Sequence, residues 1–120
     1  VSDFTPAPVK PIVPFSTLEV LDIRIGTIER VEDIPRSEKL LKLTVNFGDH
    51  SRTILAGMKQ ERENPREIEG QQALFVLNLE PKKMAGEISQ GMLFDIGYAD
   101  GILPALAIPE RPVPNGTRAG

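Results

Sequence analysis

Cysteine and tryptophan are absent from this chain, and only one tyrosine and one histidine occur among its 120 residues. Without cysteine there is neither a disulfide framework nor a thiolate metal site, a composition that suits a reducing cytosol. The lone His50 lies in a Gly48-Asp-His-Ser51 turn with no neighbouring ligand pattern, and reads as an exposed turn residue rather than a metal ligand or general base. No glycine-rich phosphate loop of the P-loop or dinucleotide kind is present. Acidic residues such as Asp22, Glu32 and Asp33 fall at strand ends as solvated charge. The expectation is therefore no cofactor, no metal and no catalytic residue, hence a protein that binds rather than catalyses. No apolar run approaches the length of a membrane span, and the start, VSDFTPAPVKPIVPFS, lacks the features of a secretory signal. A soluble, cytoplasmic protein without membrane insertion is expected.

An excess of positive charge is missing too. Fourteen Lys and Arg against seventeen Asp and Glu leave a formal charge of −3. Non-specific nucleic-acid binding usually draws on a basic face, so any such role here needs a local cluster on an acidic background.

What is present is punctuation. Prolines at positions 6, 8, 11 and 14 mark residues 1–14 as an extended tail, leaving 15–120 as one domain with a C-terminal extension. Ser16 followed by Glu19 is a capping-box pattern for a short helix to about Leu21, with Leu18, Val20 and Leu21 on its apolar side. Residues 22–31 read as a strand whose apolar parity breaks at Gly26, where a bulge or bend is expected. Leu41, Leu43, Val45 and Phe47 alternate with Lys42, Thr44 and Asn46 as a half-buried strand, joined by the turn at 48–51 to a second strand ending at Ala56. Asn64-Pro65 reads as cap and first position of a short helix stopped at Gly70. The apolar run 73–77 and residues 92–96 give two further strands, and 102–108 with Asn115-Gly116 suggests edge strands and a tight turn. About five strands, one bent at a glycine, with a short helix before the fourth, predict an all-β protein: a five-stranded OB-fold barrel with short helices and terminal extensions.

Residues 78–92, NLEPKKMAGEISQGM, carry the densest polar chemistry. Lys82 and Lys83 follow Pro81 and are expected to form an electropositive ledge at the barrel rim. Asn78 offers donor and acceptor, Ser89 a hydroxyl, and Met84 and Met92 adaptable apolar surface, while Arg24 on the first strand would widen the ledge. Each has a plainer reading: solvated lysines, a turn-capping serine, a core methionine, an asparagine satisfying its own loop. Single-strand binding by OB-folds uses exposed aromatics, but the chain has one tyrosine and no tryptophan, and Phe47, Phe75 and Phe94 fall on apolar strand positions. Base stacking is therefore not expected, and RNA would be recognised by shape and backbone.

The order of Gly26-Thr-Ile, Pro35-Arg-Ser-Glu-Lys-Leu40, Ala56-Gly57, Asn78-Leu-Glu-Pro-Lys-Lys-Met-Ala-Gly86 and Ser89-Gln-Gly-Met92 resembles the tRNA-binding-domain family over about residues 15 to 119. That resemblance implies an OB-fold and adds Lys39, in the Lys-Leu pair, to the candidate ligand-binding residues. The ending Pro112-Val-Pro-Asn-Gly-Thr117, in a chain of this length, resembles the family's free-standing bacterial members that serve as export-related chaperones. It implies a homodimer that binds unfolded or precursor polypeptides and meets the export machinery. The alternative is a protein or module that binds tRNA through its backbone, using Lys39, Asn78, Lys82, Lys83 and Ser89.

Overall fold

Leu41, Leu43 and Val45 are buried and Lys42, Thr44 and Asn46 half-buried along strand β2 (Leu41–Asn46), as their alternation predicts. In the computed structural model, which describes residues 4–120, β2 lies second in a five-stranded antiparallel sheet. The first three residues of the expected tail lie outside the described residues. The sheet runs β3 (Ser51–Ala56), β2, β1 (Ile23–Asp33), β4 (Gln72–Val76) and β7 (Met92–Leu93). It is strongly curled, as an OB-fold requires, because β1 is long enough to serve two partners. Its first half pairs with β4 and its second half with β2.

The bend in β1 differs from expectation in position. The register slips between Ile28 and Arg30, so the bulge falls at Glu29 rather than Gly26. Gly26 has another duty: a Cβ there would stand 2.7 Å from side-chain atoms of both Phe47 and Val45. The strand thus lies directly on Phe47, which packs edge-to-face on Phe75 with ring centroids 5.4 Å apart. Around this pair Ile28, Leu43, Ile54, Met58 and Ile68 are all but fully buried and form the barrel core.

Several local expectations are corrected. Helix α1 (Phe15–Glu19) starts two residues earlier than the capping box implied, with Pro14 at the cap and no side-chain cap. It buries nothing, and Phe15, Leu18, Val20 and Leu21 remain exposed. Asn64 does cap, accepting from the Arg66 amide at 3.2 Å, but over a 3-10 turn, Pro65–Ile68, too short for an α-helix. Residues 92–96 are not one strand. Met92–Leu93 join the main sheet, whereas β8 (Asp95–Ile96) turns away to pair with β9 (Ala105–Leu106), and the intervening Phe94 is half-buried instead of core. The tail does form one of the one or two expected edge strands, β9, and Asn115-Gly116 is the expected turn, its Gly116 amide donating to the Ile25 carbonyl at 2.7 Å.

Candidate nucleic-acid interface

The stretch 78–92 folds as a hairpin of its own. β5 (Lys82–Met84) pairs antiparallel with β6 (Glu87–Ser89) across the two-residue turn Ala85-Gly86. Both turn residues have positive φ, +50° at Ala85 and +81° at Gly86, the twist that suits a two-residue hairpin loop. Register puts Lys82 opposite Ser89 and Met84 opposite Glu87 on one face, with Lys83 opposite Ile88 on the other. Adjacent in sequence, the two lysines therefore do not make one ledge.

The face carrying Lys82 turns toward β3 and closes the barrel there. Instead of a regular ladder, two side chains make the seam. The Ser89 hydroxyl accepts from the Leu55 amide at 3.0 Å and donates to the Gly91 carbonyl at 2.9 Å. Gln90 exchanges bonds with Thr53, its side-chain oxygen accepting from the Thr53 amide at 3.0 Å and its amide donating to the Thr53 carbonyl at 2.8 Å. Ser89 is 3 % exposed and both roles of its hydroxyl are taken up inside the fold. Asn78 is likewise engaged: its side-chain oxygen accepts from the Asp22 amide and its nitrogen donates to the Val20 carbonyl, both at 2.7 Å. It ties the segment after α1 to the end of β4. Arg24 grips Asp22 with two bonds, at 2.8 and 3.1 Å, and holds that carboxyl below its ordinary pKa.

Four of the candidate residues meet around two adjoining hollows. One, of about 440 Å³, is lined by Lys82, Met84 and Met92, with Asp95, Gly57 and Tyr98 in its wall. The other, of about 320 Å³, is lined by Lys39 and Glu61 and by the same Gly57 and Tyr98, with Ile102 to Pro104 beyond. Lys39 is set at the mouth by the loop that bears it: the Ser37 hydroxyl accepts from the amides of Lys39 and Leu40 at 3.2 and 3.0 Å, and the Lys39 carbonyl accepts from the Lys59 amide at 3.0 Å. The Lys59 ammonium braces the same loop from below, bonding the Ile34 carbonyl at 2.8 Å, the Ser37 carbonyl and the Asp33 carboxylate at 2.6 Å. Ion pairs among the described residues take up Lys42 and Lys59 but not Lys39, Lys82 or Lys83. Lys39, Lys82, Met84 and Met92 are thus brought together; Arg24, Asn78, Lys83 and Ser89 line neither hollow.

Between the hollows sit two carboxyls that sequence reasoning did not single out. Glu61 Oε2 and Asp95 Oδ1 are both buried without a hydrogen-bond donor among the described residues. Burial, and then the facing Asp95 carboxyl, push Glu61 from its ordinary 4.5 up to about 7, so Glu61 keeps its proton below that value. No local signal marked this pair, since its members are far apart in sequence. Tyr98 was also passed over, although a tyrosine between Gly97 and Gly101 reads as a turn tip. His50 stands as expected, exposed in its turn, accepting at Nε2 from Arg52 at 2.9 Å while Nδ1 lies 2.6 Å from Asp49. Among the described residues no cluster of three or more acidic or histidine side chains could hold a metal ion.

The tRNA binding domain model matches residues 23–118. The chain belongs to the tRNA-binding-domain family. It is 38% identical over 102 residues to the methionine–tRNA ligase of Phocaeicola vulgatus, covering 84% of this chain and 15% of that ligase. With the methionine–tRNA ligase of Bacteroides fragilis it shares 34% over 116 residues, covering 97% of this chain and 17% of the ligase. The chain thus spans about a sixth of the length of these relatives. Among solved structures, a MetRS-related protein from Pyrococcus horikoshii superposes with a TM-score of 0.84 at 35% identity, covering 92% of this chain and all of that one. The chaperone CsaA from Bacillus anthracis superposes at 0.79 and 30%, again covering 92% of this chain and all of the other.

Proposed function

We propose that this chain binds tRNA, or RNA of similar structure, on the face that carries Lys39 and Lys82. The observation that carries the reading is the pair of hollows whose rims each hold a lysine outside any ion pair, on a chain of net negative charge. Such placement gives local attraction to phosphate without a basic molecule. The family match and the ligase relatives support RNA over polypeptide as the main ligand. The role is binding rather than catalysis, by the domain 15–120 with 1–14 as an arm, in the cytoplasm. Of the eight residues singled out by sequence, Lys39 and Lys82 are the phosphate contacts, with Met84 and Met92 as apolar lining. Arg24, Asn78 and Ser89 shape the scaffold, and Lys83 lies outside the contact.

A second reading has one observation in its favour. Met84 and Met92, beside a hollow of about 440 Å³, suit an extended apolar peptide, as a chaperone of unfolded or precursor polypeptides in export would need. The exposed Phe15, Leu18, Val20 and Leu21 around α1 supply an apolar patch that a second copy would cover, giving a homodimer under either reading. The deciding experiment is anisotropy of labelled tRNA over a range of salt, then with an unfolded polypeptide added. Tight binding that falls steeply with salt supports the RNA reading. Polypeptide binding without tRNA binding at low salt replaces it with the chaperone reading.

A further inference from the structure

The scarcity of aromatic residues argues against base stacking, but the single tyrosine is placed where stacking would occur. Tyr98 is 63% exposed and lines both hollows. Its backbone is a one-turn 3-10 segment, Tyr98–Asp100, held between Gly97 and Gly101, both left-handed with φ of +98° and +70°. Three bonds fix that turn: the Asp100 and Ile102 amides donate to the Gly97 carbonyl at 3.1 and 3.0 Å, and the Gly101 amide to the Tyr98 carbonyl at 3.2 Å. The ring is therefore carried at the rim by a tight backbone rather than by a loose loop. On one side lies the hollow with Lys39, on the other the hollow with Lys82.

We propose that Tyr98 is a stacking platform for one unpaired base of a bound RNA, with Lys39 and Lys82 meeting phosphates of the same strand on its two sides. The proposal rests on the RNA-binding reading above and makes it more specific: the ligand must present an unpaired nucleotide, not only a duplex backbone. An exposed ring between two cations outside ion pairs fits an alternation of flat base and phosphate better than it fits a polypeptide, which carries no regular negative charge. Glu61, in the wall of the Lys39 hollow, is uncharged below about pH 7, which leaves the lysines in excess over carboxylate charge there.

Because the chain has one tyrosine and no tryptophan, its intrinsic tyrosine fluorescence reports on Tyr98 alone. The test adds a short single-stranded RNA, a duplex RNA, inorganic polyphosphate or an unfolded polypeptide to the intact protein, with absorption by the added ligand corrected. Single-stranded RNA is expected to quench the emission, while polyphosphate and duplex leave it nearly unchanged. Tyr98→Ala is expected to weaken single-stranded RNA binding roughly tenfold or more and Tyr98→Phe to restore most of it, since the ring and not the hydroxyl makes the platform. Circular dichroism of each variant checks that it folds. RNA that binds by anisotropy without quenching Tyr98, or equally well to Tyr98→Ala, overturns the platform and leaves the RNA reading standing. No RNA binding by anisotropy overturns both, and quenching by polypeptide alone reassigns the ring to that ligand.

Discussion

Successive residues of a strand point to opposite faces, and this alone separates Lys82 from its neighbour Lys83. Lys82→Ala is expected to lower the salt slope of tRNA binding by about one and to weaken affinity, with Lys83→Ala leaving both nearly unchanged. Anisotropy titrations of the two variants at several salt concentrations make the comparison; equal losses would put both lysines on the RNA. A Lys-Lys pair read from sequence looks like one patch because sequence alone does not show where a two-residue hairpin turn sets the alternation. Glu61 makes a different kind of prediction. Its carboxyl keeps a proton up to about pH 7 when folded but only to about 4.5 when unfolded, so the folded state binds more protons between those values. This group's contribution to stability is complete below about pH 4.5 and is lost as pH rises through about 7, a change on the order of 3 kcal/mol. Glu61→Gln should remove that part of the pH dependence and be more stable than the parent near pH 8, as urea unfolding at several pH values would measure. An unchanged pH profile would show that the pKa of Glu61 is not raised in the folded state.

At the scale of elements, the seam between β3 and β6 is made by Ser89 and Gln90, so a residue chosen as a ligand contact serves as a structural one. Ser89→Ala strands the buried Leu55 amide and is expected to lower stability by about 1–3 kcal/mol while leaving RNA affinity of the folded protein unchanged. Denaturant unfolding beside an RNA titration tests both halves, and lost affinity with intact stability would return Ser89 to the binding surface. Alternation made β2 legible, the turn at 48–51 made β3 legible, and Asn64-Pro65 made the turn before β4 legible. The break at Phe94 was not, because whether 92–96 continues or turns away depends on β9, a partner some ten residues further on. Gly26 was marked correctly as special for the wrong local reason: close packing of Phe47 demands the missing side chain, and packing across a barrel leaves no trace in the residues next to it.

The whole molecule is an acidic chain on which two lysines outside the ion pairs of the described residues border adjoining hollows. Separated motifs along the sequence conveyed the curled five-stranded sheet and the family, since those motifs recur in order. They conveyed less of the proposed site, which gathers Lys39, Gly57, Glu61, Lys82, Asp95 and Tyr98 from four separate stretches of chain. The exposed apolar residues of α1 lead to one more expectation at this scale. Sedimentation at micromolar concentration should give twice the chain mass, and Leu18→Glu should shift the population toward monomer; a monomeric parent would discard the apolar patch as a self-contact.

Binding of structured RNA on the face shared by Lys39, Lys82 and Tyr98 would register in the amide chemical shifts of the labelled protein titrated with tRNA. Changes are expected to concentrate at Lys39, Gly57, Lys82, Met84, Met92 and Tyr98, with Lys83 and Ile88 little affected. Changes centred instead on Lys83 and Ile88 or on the arm before β1, or no changes at low salt, would contradict binding on that face.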